Sequence, residues 1–141
     1  MEQLHVIRRK LTNLTGYSAE LEPFREYTFD QYASNYFIRR TGERLVQLIV
    51  ENMVDINSLL IVRENHPPPK DYFASFTILG EVGILPRSFA AELAPCTGMR
   101  NRIVHEYDKI EDQIVFDSIP KLLDMVVEYT SIINKDLRKH S

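Results

Sequence analysis

From Phe29 to Glu64 apolar side chains return at helical spacing, through Tyr32, Tyr36, Leu45, Leu48, Ile49, Met53, Ile56 and Leu60, until His66-Pro67-Pro68-Pro69 stops the run. A strand is rarely longer than about ten residues and alternates with period two. This stretch therefore predicts one long second helix, with Gly42 inside it at some cost to helicity. A helix striped over such a length must bury its stripe against other helices. The rest of the chain supplies them. A first helix is expected from about Glu2 to Leu21, with Leu4, Ile7, Leu11 and Leu14 on one side, and Pro23 begins the break after it. A short third helix, from about Asp71 to Val82, turns Phe73, Phe76 and Leu79 inward. A turn between Gly83 and Pro86 leads to a fourth, which Pro95 kinks or splits and Gly98 disturbs. The fifth spans about Asp112 to Lys139, where Pro120 predicts a kink or a later start. No segment alternates like a strand. The expectation is an all-α bundle of about five helices, mostly antiparallel neighbours, forming one domain over residues 1–141.

Composition narrows the setting. Apolar residues make up 44% and charged residues 26%, ordinary values for a globular chain. No run of roughly 18 apolar residues stands out, so no membrane span is expected. The N-terminus begins directly in an amphipathic pattern rather than a signal peptide. The single cysteine, Cys96, excludes an intrachain disulfide and suits a reducing, cytoplasmic setting as a small packing residue. A net charge of −3 argues against indiscriminate nucleic-acid binding, which would need a local basic patch. Arg8–Lys10, Arg39–Arg44 and Arg87–Arg102 are the candidate stretches.

One run carries chemistry: Arg100-Asn101-Arg102-Ile103-Val104-His105-Glu106-Tyr107. Metal-free RNA cleavage uses the ribose 2′-OH as nucleophile. It needs a base for that proton, an acid for the leaving 5′-oxygen, and positive charge on the phosphate as negative charge builds. Histidine serves as acid and base near neutral pH. Arginine offers a permanently charged, planar fork to phosphate oxygens. His105 with Arg100 or Arg102 supplies that kit, with Asn101 to orient the imidazole or bind phosphate. The bland alternative is a histidine that merely caps a helix or stands in solvent. The four histidines are scattered and no CxxC or HxxxH spacing exists, so no metal site is expected. No Gly-rich phosphate loop is present, and no cofactor is expected.

The run, with the preceding Phe73–Tyr107 stretch (FASFTILGEVGILPRSFAAELAPCTGMRNRIVHEY), resembles the HEPN-domain ribonucleases, and among them the HepT toxins of HEPN/MNT toxin–antitoxin pairs. The resemblance implies a helical bundle, a metal-independent endoribonuclease acting on RNA, and catalytic Arg100 and His105. It implies an active site formed between two copies. Helix geometry agrees, because Arg100 lies about 140° round from His105 while Asn101 and Arg102 share its face. Two copies meeting across a two-fold axis would each contribute to one composite cleft, where two His105 side chains could share the acid and base roles, so a homodimer is expected. The resemblance also implies that Tyr107 receives AMP from a cognate minimal nucleotidyltransferase antitoxin. Asp55, on the long helix, could pair with Arg100 or Arg102 and orient them, or could simply be solvated. The rival is a non-catalytic HEPN module that binds nucleotide or protein, and a further one is a purely structural helical partner.

Overall fold

The computed structural model describes residues 2–105 and 111–140, which hold seven α-helices, one 3-10 turn and no strand. Helix α1 (Glu2–Leu21) leads through the 3-10 turn Glu22–Glu26 to α2 (Phe29–Ser34) and α3 (Tyr36–Arg63). Then come α4 (Tyr72–Glu81), α5 (Arg87–Leu93), α6 (Cys96–His105) and α7 (Asp112–Lys139). The all-α class stands, and α3 is its centre, packing against α1, α2, α4, α6 and α7. By length and hydropathy alone α3 could cross a membrane, but 56% of its most apolar window is buried inside the bundle.

The expected long second helix is broken once, at Asn35, whose backbone is extended (φ −110°, ψ 109°). Its Oδ1 accepts hydrogen bonds from the N–H groups of Phe37 (3.0 Å) and Ile38 (3.1 Å), an N-cap that starts α3 afresh. Thr28 begins α2 with a reciprocal capping box through Gln31. The break changes what faces inward. Tyr32 on α2 is fully buried, whereas Tyr36 lies opposite Leu45 round α3 and is 56% exposed, contrary to its expected place in the stripe. The end of α3 is closed by Asn65 in the left-handed region (φ 58°), with His66 N–H donating to Ile61 O and Asn65 N–H to Val62 O. The prolines follow a stop already made.

Helix α4 is capped by Asp71, whose carboxylate accepts from Ala74 N–H at 2.7 Å. Phe76 and Leu79 are buried as expected, but Phe73 is half exposed. The expected fourth helix is two, because Pro95 splits it into α5 and α6. Gly98 lies within α6 without interrupting it. The fifth expected helix, α7, runs from Asp112 through Pro120 with no later start. Neighbouring helices run in both directions. Gln3 meets Leu59 and Lys10 meets Asp55, so α1 is antiparallel to α3. Tyr129 meets Met53 while Asp136 meets Arg63, so α7 runs parallel to it.

Inside the apolar core one polar chain crosses three helices. The Tyr129 hydroxyl donates to Asn57 Oδ1 (2.6 Å), Asn57 Nδ2 donates to Ser75 Oγ (3.1 Å), and Ser75 Oγ donates to the Tyr72 carbonyl (2.7 Å). Burial pushes the Tyr129 pKa well above its ordinary value, so the phenol keeps its proton and remains a donor.

Gly42 has a packing reason. A Cβ there would stand 2.9 Å from Tyr32 Cε2 and 3.0 Å from Phe24 Cε2, both in buried rings. Gly42→Ala should therefore lose about 1–3 kcal/mol of stability from overpacking, against the gain of roughly 1 kcal/mol that alanine gives in an open helix. Urea unfolding of the two proteins measures it, and a more stable variant would contradict the packing account.

Candidate active site

Helix α6 starts immediately after the Ala94–Pro95 break and lies against α3 and α4. Thr97 Oγ1 donates to Ala94 O (2.9 Å), holding the first turn. Thr97 and Ile103 are buried, and Arg100 lies three residues from each, between them round the helix. Its side chain is only 16% exposed. Such a guanidinium needs a partner, and it has one on α3. Arg100 Nε (2.9 Å) and Nη2 (2.7 Å) both donate to Glu51 Oε2. Gln47 Nε2 donates to the same oxygen at 3.2 Å. The guanidinium carbon sits 4.8 Å from the centre of the Tyr72 ring on α4, a cation–π contact. The remaining edge, Nη1, donates to Asn101 Oδ1 at 3.3 Å.

Asp55 is not the carboxylate that holds Arg100, nor is it paired with Arg102. It takes Lys10 Nζ at 2.9 Å, joining α1 to α3. Gln47, Glu51 and Asp55 follow at four-residue intervals on one face of α3. Arg100 of α6 reaches α3 at the level of Glu51, and Lys10 of α1 reaches it at the level of Asp55. Sequence spacing could have drawn attention to Glu51 as readily as to Asp55, but it cannot say where a partner helix crosses. Tyr72 gave no local signal, being remote from the motif in the chain.

The other motif residues divide by exposure. Asn101, Arg102 and His105 are exposed, and His105 is the last residue of α6. Among the described residues neither Arg102 nor His105 has a side-chain partner. Tyr107 lies outside the described residues. Arg100 is thus fixed between α3 and α4 while His105 ends the helix in solvent, five residues on. One chain provides a clamped cation, an exposed amide and an exposed imidazole, groups chemically able to bind an anion and exchange a proton. Among the described residues no three His, Cys, Asp or Glu side chains cluster closely enough to hold a metal ion.

Cys96 and Met99 of α6 help line a cavity of about 180 Å³ together with Val46, Leu122 and Met125 and the polar side chains of Glu92, Ser118 and Lys121. Burial pushes the Cys96 thiol up to about 12.

The family model for HepT-like ribonucleases ("Ribonuclease HepT-like") matches residues 14–133. The tRNA nuclease HepT of Aphanizomenon flos-aquae is 33% identical over 132 residues, covering 94% of this chain and 90% of that protein. The fold is shared with the tri-AMPylated HEPN toxin of Shewanella oneidensis solved in complex with MNT antitoxin. There the TM-score is 0.84 at 18% identity, over 92% of this chain and 97% of that one. A toxin–antitoxin structure with AMP-PNP gives a TM-score of 0.85 at 17% identity, over 93% of this chain and 98% of that one.

The raised Cys96 pKa has a measurable consequence. Because burial raises its pKa, the Cys96 thiol is far less often thiolate, the reactive form, at pH 8 than an exposed cysteine. A disulfide-exchange reagent should therefore label the folded protein slowly, and unfolding in guanidinium should accelerate labelling at least tenfold. Equal rates in both states would show an open, ordinary thiol.

Proposed function

The chain belongs to the HepT-like ribonuclease family, and from that premise we propose that it is a metal-independent endoribonuclease, the toxin of a HEPN/MNT toxin–antitoxin pair. The observation that carries this reading is the arrangement on α6, with Arg100 clamped by Glu51 and Tyr72 and His105 exposed at the helix end. Transfer RNA is the first substrate to test, since the Aphanizomenon relative is a tRNA nuclease.

In this reading His105 takes the 2′-OH proton. The oxygen attacks phosphorus, and the 5′-oxygen leaves with a proton from His105 of the partner subunit. The products are a 2′,3′-cyclic phosphate and a 5′-hydroxyl. Arg100 meets the phosphate with its Nη1 edge while Nε and Nη2 stay on Glu51, so the guanidinium is already oriented when charge develops. Asn101 and Arg102 assist on the His105 side. Glu51 is a positioning residue, since it touches Arg100 rather than RNA. A homodimer supplies the second histidine. Tyr107, two residues from His105, is the control point: its phenol oxygen takes AMP from ATP, with release of pyrophosphate, on a minimal nucleotidyltransferase antitoxin. The added anion and its bulk then exclude substrate phosphate.

The test is cleavage of purified transfer RNA with EDTA present. Wild type should leave cyclic phosphate ends, and His105→Ala and Arg100→Ala should each lose at least a hundredfold. Undiminished cutting by His105→Ala would end the assignment. Glu51→Ala should lower kcat about ten- to a hundredfold, a degree of misplacement cost seen when a positioning contact is lost. Glu51→Gln, which keeps an acceptor oxygen, should retain more activity than Glu51→Ala at equal thermal stability.

A further inference from the structure

The first turn of α3 exposes two adjacent aromatic rings that the core does not use. Phe37 is 78% exposed and Tyr36 56%, their rings in a T-shaped contact at 5.6 Å. Water gains nothing from such a pair, and large exposed rings are uncommon without a partner. Arginines surround them. The guanidinium carbons of Arg39 and Arg40 lie 5.7 Å and 5.3 Å from the Tyr36 ring centre. Arg39 also donates to Ala33 O and stands 3.9 Å from Asp112, and Arg40 pairs with Glu43. Arg44, exposed, has no partner among the described residues. Three cations thus face two anions, in a chain whose net charge is −3.

Position on α3 connects this cluster to the candidate active site. Tyr36, Arg40, Arg44, Gln47 and Glu51 fall within a quarter turn of one another round the helix. The stripe runs from the rings to the carboxylate holding Arg100, about 22 Å along the axis at 1.5 Å per residue. Asp112, beside Arg39, is seven residues beyond His105 in the chain, which limits their separation to roughly 25 Å. The aromatic end is therefore a few nucleotides from both halves of the motif.

We infer that the Tyr36–Phe37 end of α3 is a docking platform for unpaired RNA bases, with Arg40 and Arg44 meeting the phosphates of a strand that follows α3 to Arg100. This rests on RNA being the substrate and narrows it to a single-stranded segment. Unstacked bases are the part of RNA that aromatic faces and arginine planes recognise. A duplex keeps its bases inside and offers the rings nothing.

The test is fluorescence anisotropy on full-length His105→Ala protein, with a labelled single-stranded oligoribonucleotide and the same strand annealed to its complement. Adding Tyr36→Ser and Phe37→Ser should weaken single-strand binding about tenfold or more and barely change the duplex. Phe37→Trp should preserve it, and Arg44→Gln should reduce the slope of log affinity against log salt by about one. The platform is overturned by unchanged single-strand affinity, by equal loss on both probes, or by no binding of either. It is equally overturned if the serine pair changes the assembly mass in solution, for then the rings are a protein contact. Anisotropy reads the platform without cleavage, so its failure is separate from failure of the ribonuclease reading, which shows as intact RNA with the wild type.

Discussion

The hydrogen-bonded chain from Tyr129 through Asn57 and Ser75 to the Tyr72 carbonyl is the constraint on which the rest is arranged. Polar atoms in an apolar interior are tolerated only when paired. The two links that cross between helices, Tyr129–Asn57 and Asn57–Ser75, therefore fix how α7 and α4 are placed against α3. Apolar packing alone would let these helices slide by small amounts at little cost. The chain ends at the residue whose ring lies against Arg100, so a bond deep in the core sets the position of a side chain at the surface. The site is carried by the bundle rather than attached to it.

Charge is organised on the same plan. Arg100 is neutralised on two of its donors by one carboxylate oxygen and steadied by a ring, which orders it before any ligand arrives. Arg102 and His105, on the open side of the same helix, have no such restraint among the described residues. A fixed cation beside freer groups suits binding a phosphate first and moving protons second. With a net charge of −3, any attraction for a polyanion has to come from such local features rather than from the surface as a whole.

Much of this was legible in the sequence, and the failures have physical causes. Stripes of apolar residues gave the helical class, and the buried positions of α1 and α7 follow them closely. The Arg100–His105 run was visible because both lie on one helix. What escaped was tertiary. Asn35 reads as an ordinary residue inside a helical pattern, and only its side chain turning back on Phe37 and Ile38 makes it a boundary. The four-residue spacing from Tyr32 to Tyr36 reads as one helical face, a relation the boundary at Asn35 cancels. Pro120 is carried inside α7 although its missing N–H argued for interruption. Glu51 and Asp55 were equivalent by spacing until the crossing of α6 distinguished them. Tyr72 was out of reach for any argument from neighbours in sequence.

The gap at Gly42 has a wider consequence. Two buried rings rest where α3 has no side chain, and the next positions along that face are filled. The gap behaves as a notch and the rings as its key: the segment before α3 can seat at one axial position and no other. Because the notch lies on the same rod as Tyr36 and Glu51, it fixes where the segment before α3 sits relative to both, while the helix rise alone fixes the distance between them. Any drift of sequence that fills the notch would shift the rings, yet the spacing along the rod would survive.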